Sequence, residues 1–374
     1  MWICDYITKT IDILAEKNTV IGFLWQDAAS LREILINKKK FQFFKNEGNL
    51  FYLTPIHFLP FRRFAFIEFL NLIINSYLLK IFIFLRWFKS KDKILWLFHP
   101  DFWLLPKIFG KSYFSLYDCV DYFSSTDPQI EKKIRQNEAR LIKNVQLMTV
   151  ISQILKSLHH CEKKNTEIVP QGFSLQSFYS PQKLPQNHFI FKIKKPIIGY
   201  IGGINYRLDY PLLIDLAKKN PDYSFIFIGP FQKDPFIKFE NQLEKLKKLK
   251  NVYFLGNQPR ELLVEIIKYF DICSIPYDIK QEFNKFCYPM KVFEYFYLGK
   301  PVISTPIEEL KHLQPYVKIA YNVDEFTKEI KKMLKNGWPK PYAQKQKELA
   351  IENSWANKIA QIDQILIKTI KDSA

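Results

Sequence analysis

Apolar positions follow two rhythms along this chain. From about residue 195, short continuous apolar runs occur as PIIGYIG, YSFIFIG, VYFLG, ICSIPY, PVIST and VKIAY. Most are separated by stretches in which apolar residues return every three or four positions: DYPLLIDLAKK, FIKFENQLEKLKKL, RELLVEIIKYF, PMKVFEYFYL and DEFTKEIKKML. Runs that are apolar on both faces predict buried parallel strands, and the 3.6-residue period predicts the helices covering them. The first half repeats the theme less tidily, with TVIGFL, LFYLT, ILWLF, YFSLY, QLMTVI and TEIVP as strand candidates. Between the halves, PQGFSLQSFYSPQKLPQNHF breaks both periods with three prolines and a glycine, as a linker does. The expected organisation is α/β: a doubly wound Rossmann-like domain over 1–170, a linker over 171–195 and a second such domain over 196–352. A C-terminal helix over 353–374 is expected to return to the first domain. Ligands in such sheets bind beyond the carboxyl ends of the strands.

The stretch FCYPMKVFEYFYLGKPV, Phe286 to Val302, holds candidate chemistry. Pro289 suits the first turn of a helix and Gly299 the left-handed residue that closes one, so a helix is expected from about Pro289 to Leu298. Val292, Phe293 and Phe296 share its buried face, which leaves Lys291 and Glu294 together on the other side. Lysine ahead of glutamate is the weaker order for a helical ion pair, and a lysine in the first turn opposes the helix dipole. Two readings stay open: a solvated charged face, or a phosphate grip with a carboxylate one turn on for a neighbouring hydroxyl.

With 374 residues, 48% of them hydrophobic, the chain can bury the cores of two domains. Its five cysteines lack CxxC spacing, which excludes a zinc knuckle and points to a reducing cytosol. The N-terminal sequence lacks the basic-then-apolar pattern of a secretory signal. The longest apolar region, Ala65 to Phe88, is interrupted by Glu68, Lys80 and Arg86, so a single span is expensive and a core helix is the rival reading. A formal charge of +18 asks for an anionic partner. Recognition motifs for nucleic acid are missing, and no nucleic-acid partner is expected. Basic residues mixed with aromatics suit an anionic membrane surface better, with Arg62, Arg63 and the Ala65 to Phe88 segment as local candidates.

Glycine is scarce, 11 in all, and seven of these lie between Gly172 and Gly299, mostly just after strands. Gly202 and Gly203 follow the first strand of the second half, with Arg207 close behind. This is a plain turn or one that brings backbone to a phosphate. Taken together, IGYIGGINYRLDYPLLIDLAKKNPDYSFIFIGP, NVYFLGNQPRELL, DICSIPY and YPMKVFEYFYLGKPVIST resemble the nucleotide-sugar domain of GT-B glycosyltransferases. The chain is most similar to glycosyltransferase family 4 (group 1) and related bacterial cell-surface polysaccharide enzymes, from about residue 10 to the end. LWLFHPDFWLLPKIFG, FSLYDCVDYFSS and LMTVISQILKSLHH followed by EIVPQGF support this in the first half.

The resemblance implies two Rossmann-like domains facing each other across a cleft. It implies that Glu294 accepts hydrogen bonds from the donor ribose, that Lys291 and the amides after Pro289 hold the diphosphate, and that Gly202 and Gly203 admit backbone to it. Arg207 would stabilise the departing nucleoside diphosphate. Neither metal nor other cofactor is expected, and no DxD-like motif argues for one. In the first half, His99 follows ILWLF, while Asp118 and Asp121 end or follow YFSLY. His99 is a candidate for orienting a sugar, against bonding to nearby backbone before Pro100. The aspartates are candidates for acceptor contact or general base, against helix capping by Asp121 and Ser124.

Three departures stand out: Phe286 occupies the place of an earlier family glutamate, Leu212 that of a frequent lysine, and the chain opens on a helix-like segment instead of a strand and glycine loop. The expectation is a cytoplasmic glycosyltransferase, peripheral on the inner face of the cell membrane. Its substrates would be a nucleoside-diphosphate-sugar donor and a glycan or lipid-linked acceptor. An inactive GT-B scaffold and a nucleotide-sugar epimerase are the alternatives.

Overall fold

The computed structural model describes residues 4–23, 29–30, 34, 44–60, 65–85, 92–125, 127–159, 165–175, 178, 181–234 and 237–373. Arg62, Arg63 and Arg86 lie outside the described residues. Every strand-like run named above contains a strand. In chain order the strands among the described residues are β1 (Val20–Phe23), β2 (Ala29–Ser30), β3 (Phe44–Glu47), β4 (Leu50–Leu53), β5 (Ile56–His57), β6 (Ile94–Leu97), β7 (Phe114–Cys119), β8 (Leu147–Val150) and β9 (Thr166–Ile168). There follow β10 (Ile197–Ile201), β11 (Ser224–Ile228), β12 (Val252–Phe254), β13 (Ile272–Ile275), β14 (Val302–Ser304) and β15 (Lys318–Ile319). The sheet orders are β1-β4-β3, β2-β5, β6-β7-β8-β9 and β12-β11-β10-β13-β14-β15. The chain divides into two compact units, one of residues 1–118, 136–148 and 359–374, the other of 119–135 and 149–358.

In the first unit β1 runs parallel to β4, with Val20 opposite Leu50, and β3 returns antiparallel on β4. β6 and β7 pair in parallel from Ile94 opposite Phe114 to Leu97 opposite Tyr117. Short β2, β3 and β5 lie outside the apolar runs, because two to four residues of mixed polarity carry too little pattern to separate a strand from a loop. The apolar Ala65 to Phe88 segment forms a helix over Ala65–Leu85.

The second unit is built on the six-stranded sheet, whose pairs are all parallel. β10, β11, β13 and β14 are buried at every position, which is why they read as unbroken apolar runs. Local chemistry places the helix starts. Asp209 Oδ1 accepts from Leu212 N at 3.0 Å and opens the Tyr210–Lys219 helix. Asn322 and Glu325 exchange caps at the start of Val323–Asn336: Asn322 Oδ1 accepts from Glu325 N at 3.0 Å, and Glu325 Oε2 accepts from Tyr321 N at 2.9 Å. The helix expected from Pro289 to Leu298 spans Lys291–Tyr297, with Pro289 O accepting from Val292 N at 3.1 Å and Gly299 closing it at φ +62°. Val292, Phe293, Tyr295 and Phe296 are wholly buried.

Candidate active site

In sequence rank the six strands stand in the order 3-2-1-4-5-6. The switch point falls between β10 and β13, where successive connections leave in opposite directions and open a crevice at the carboxyl ends. Gly202 and Gly203 follow β10 at that point, and Tyr277 follows β13. The glycine turn is fixed from three sides. Ile201 N donates to Tyr295 Oη at 3.0 Å, Gly202 N to Ile228 O at 2.8 Å, and Tyr200 Oη to Gly203 O at 3.2 Å. A Cβ on Gly202 would lie 2.6 Å from Tyr200 Oη and 3.0 Å from Lys291 Cε, so a side chain here would crowd both.

Lys291, the first residue of its helix, turns its ammonium back to this turn. Nζ donates to Tyr277 Oη and lies 4.8 Å and 5.2 Å from the ring centroids of Tyr277 and Tyr200. Burial raises the Tyr277 pKa, but Lys291 and Arg207 together outweigh burial and bring it below the usual phenol value. Arg207 lies between the rings of Tyr277 and Phe283, 4.5 Å and 4.4 Å from their centroids. Its Nε donates to Asn284 Oδ1 at 2.8 Å, while Asn284 Nδ2 donates to Arg207 O at 3.0 Å and Asp278 O at 2.9 Å. Burial disfavours the Arg207 charge; Tyr277, Cys287, Asp121 and Tyr200 more than compensate and hold it protonated. Two cations are thus aimed at the switch point by aromatic faces and one buried amide. Glu294, one helical turn after Lys291, is partly exposed.

Of the sequence candidates, Gly202, Gly203, Arg207 and Lys291 come together here, with Pro289 just before the lysine's helix and Glu294 one turn along it, and Asp121 faces Arg207 in the same unit. His99 and Asp118 belong to the first unit. Asp118 is wholly buried, its Oδ2 accepting from Tyr6 Oη at 2.5 Å and Trp96 Nε1 at 3.3 Å. His99 Nδ1 accepts from Asp101 N at 3.2 Å at the head of the Pro100–Phe102 turn, which is the local backbone bond weighed above. The Pro128–Asn144 helix is not capped by Asp121 or Ser124. Asp127 does this, with Oδ1 accepting from Gln129 N at 2.8 Å.

Phe286, where the family has a glutamate, packs edge-on against Tyr122 with ring centroids 5.4 Å apart, and Leu212 is buried in the core. Tyr200, Tyr277 and Asn284 escaped the sequence reading. Tyr277 had a usable signal in ending the apolar run ICSIPY, two residues past the fourth strand of the sheet, whereas Asn284 looks like any polar residue of QEFNKF.

Burial pushes the Asp121 carboxyl up to about 6, against the lowering by Arg207 and by Tyr122 N, which donates to Asp121 Oδ1 at 2.9 Å. The unfolded value is ~3.9, so between these values the folded state binds more protons and stability falls as pH rises, levelling off above the folded value. Asp121→Asn is expected to flatten this part of the curve in urea midpoints taken across the window. An unchanged slope would mean that Asp121 is not the group being desolvated.

Residues 185–353 match the family model for glycosyl transferases group 1. The chain carries a group 1 glycosyltransferase domain. It contains Gly202, Gly203, Arg207, Lys291 and Glu294, whereas Asp121 precedes it. The chain is 25% identical over 279 residues to the putative teichuronic acid biosynthesis glycosyltransferase TuaH of Bacillus subtilis (strain 168), covering 70% of this chain and 68% of that one. Its fold is that of GT-B glycosyltransferases. Sucrose-phosphate synthase from Thermosynechococcus elongatus superposes with a TM-score of 0.69 at 15% identity, over 99% of this chain and 94% of that one. Anabaena Alr3699/HepE in complex with UDP and glucose gives a TM-score of 0.66 at 12% identity, over 96% and 95%. The trehalose-6-phosphate enzyme from E. coli bound with UDP-2-fluoro glucose gives 0.69 at 11% identity, again over 96% and 95%.

Proposed function

We propose that this glycosyltransferase moves a sugar from a nucleoside diphosphate to a cell-surface glycan or lipid-linked acceptor, with retention of configuration and without a metal. It would work from the cytoplasmic side of the cell membrane. The observation that carries the reading is the pairing of Lys291 and Arg207 beside the Gly202–Gly203 turn at the switch point of the six-stranded sheet. As the glycosidic bond to the diphosphate breaks, negative charge grows on the leaving oxygens, and fixed cations aimed there lower the barrier. Backbone at the glycine turn gives the phosphates close approach, and Glu294 accepts from the donor ribose. Asp121, with its raised pKa, would contact the acceptor or take its proton. His99 would orient a sugar, with Asp118 holding the strand end that leads to Asp121. UDP in HepE and UDP-2-fluoro glucose in the trehalose-6-phosphate enzyme support a nucleotide-sugar donor, and the name of TuaH supports an envelope polymer as acceptor.

Calorimetric titration with nucleoside diphosphates and nucleotide sugars tests the donor grip. One nucleotide is expected to bind. Lys291→Ala should weaken it by on the order of 10- to 100-fold, as for a lost charge-assisted hydrogen bond, and Glu294→Ala by about 10-fold or more. Silence across the panel from a folded protein would overturn the donor assignment. Undiminished binding in both variants would move the grip elsewhere.

A further inference from the structure

The Ala65–Leu85 helix is apolar on its outward side and mixed on its inward one. Asn71, Asn75 and Ser76 are buried together with Leu72 and Leu79. Asn71 brackets Leu59, its Oδ1 accepting from Leu59 N at 2.9 Å and its Nδ2 donating to Leu59 O at 3.2 Å. Asn75 does the same for Ile56, at 2.8 Å and 2.7 Å. The outward side holds Phe66, Tyr77, Ile81, Phe84 and Leu85, with Phe66 67% and Phe84 79% exposed. Phe66, Tyr77, Ile81 and Phe84 fall within about 60° of one another around the helix axis, the last three clustered in its C-terminal half and Phe66 roughly 16 Å away along the same line. A water-facing helix puts such residues inward. An exposed stripe of this kind marks a surface built to meet something apolar.

Basic groups lie on and beside this helix. Lys80 lies beside Tyr77, Ile81 and Phe84 and reaches Ile108 O at 2.8 Å. Phe69 stacks on Trp103, whose ring lies 6.0 Å from Lys107 Nζ and 4.9 Å from the Arg140 guanidinium. Aromatic and aliphatic side chains flanked by cations match the boundary between acyl chains and anionic headgroups. By length and apolar character Phe66–Leu85 is also able to cross a bilayer. Crossing would strip Ile56 and Leu59 of their partners and carry two asparagine amides into hydrocarbon, where unmet polar groups are expensive.

We propose that this face seats in the headgroup region of an anionic lipid bilayer, with the helix lying along the membrane plane. The inference adds a surface to the membrane placement above and rests on that placement, while its test uses no transfer reaction.

Flotation of the full chain with phosphatidylglycerol-containing vesicles and with pure phosphatidylcholine vesicles provides the test, comparing wild type with Phe66→Ser/Ile81→Ser/Phe84→Ser. These positions face outward, so the variant should keep its circular dichroism and nucleotide affinity. Its partition onto anionic vesicles should fall by on the order of 100-fold. Lys107→Glu should lower binding mainly at low salt, because screening removes its contribution otherwise. Equal flotation of wild type and triple variant would overturn the proposal in favour of diffuse charge attraction. Failure of wild type to float would overturn it outright. A concentration-dependent dimer that the triple variant dissolves would reassign the stripe to contact between copies. Loss of the donor assignment in the titration leaves the flotation result standing, so the two readings can fail separately.

Discussion

Arg207→Ala is expected to lower the turnover number by on the order of 10²–10³, the usual cost of removing one fixed group that stabilises charge formed in the transition state. Donor affinity should change less than in Lys291→Ala, because the load on Arg207 is greatest once the diphosphate departs. The side chain is suited to that timing. The Tyr277 and Phe283 rings hold the guanidinium plane, and Asn284 fixes Nε, so little reorganisation is needed when charge develops. Arg207→Lys keeps the charge without the planar fork and should recover only part of the loss. Removing Arg207 also deletes the positive neighbour of Asp121, whose pKa should then rise above its present value of about 6. Steady-state kinetics against donor and acceptor, read as separate kcat and KM effects, check this. Turnover within threefold of wild type would reduce Arg207 to a packing residue of the Tyr277 corner.

The sheet was legible because its central strands are buried on both faces. Apolar runs such as those of β10 and β11 have no other use in a chain with this little glycine. The lysine and glutamate of the 291–297 helix were legible as misfits on an otherwise apolar element. What surrounds them was not. Tyr277 precedes Lys291 by 14 residues, and Asn284 lies 77 residues from Arg207. The hydrogen bonds between them exist only after the sheet has set two loops side by side. The Ala65–Leu85 helix shows the same limit in another form. Its asparagines read as weak interruptions of an apolar run, and only the fold shows that they face inward to Ile56 and Leu59. Asp118 and Asp121 look equivalent with only Cys119 and Val120 between them, yet Tyr6 and Trp96 claim one and Arg207 faces the other.

Gly229→Ala is expected to destabilise the protein by about 2–4 kcal/mol and to displace the donor turn with it. Gly229 has φ +143°, and a Cβ there would lie 2.0 Å from Gly202 O, a backbone atom with no rotamer through which to escape. The two glycines belong to turns after adjacent strands, laced by Gly202 N to Ile228 O at 2.8 Å and Ile204 N to Pro230 O at 2.9 Å. Making room for a methyl group must spread that pair, and Gly202 is the residue against which Lys291 packs. Gly256 supplies the control: it has φ +67° and open space around the Cβ position, so Gly256→Ala should cost only the left-handed penalty of about 1–2 kcal/mol. Urea denaturation of the two variants separates clash from backbone strain, and nucleotide titration of the folded Gly229→Ala protein reads the turn itself. If Gly229→Ala matches Gly256→Ala in stability and binds nucleotide as wild type does, the turn yields without cost, and the approach of Gly229 to Gly202 does not hold the site in place.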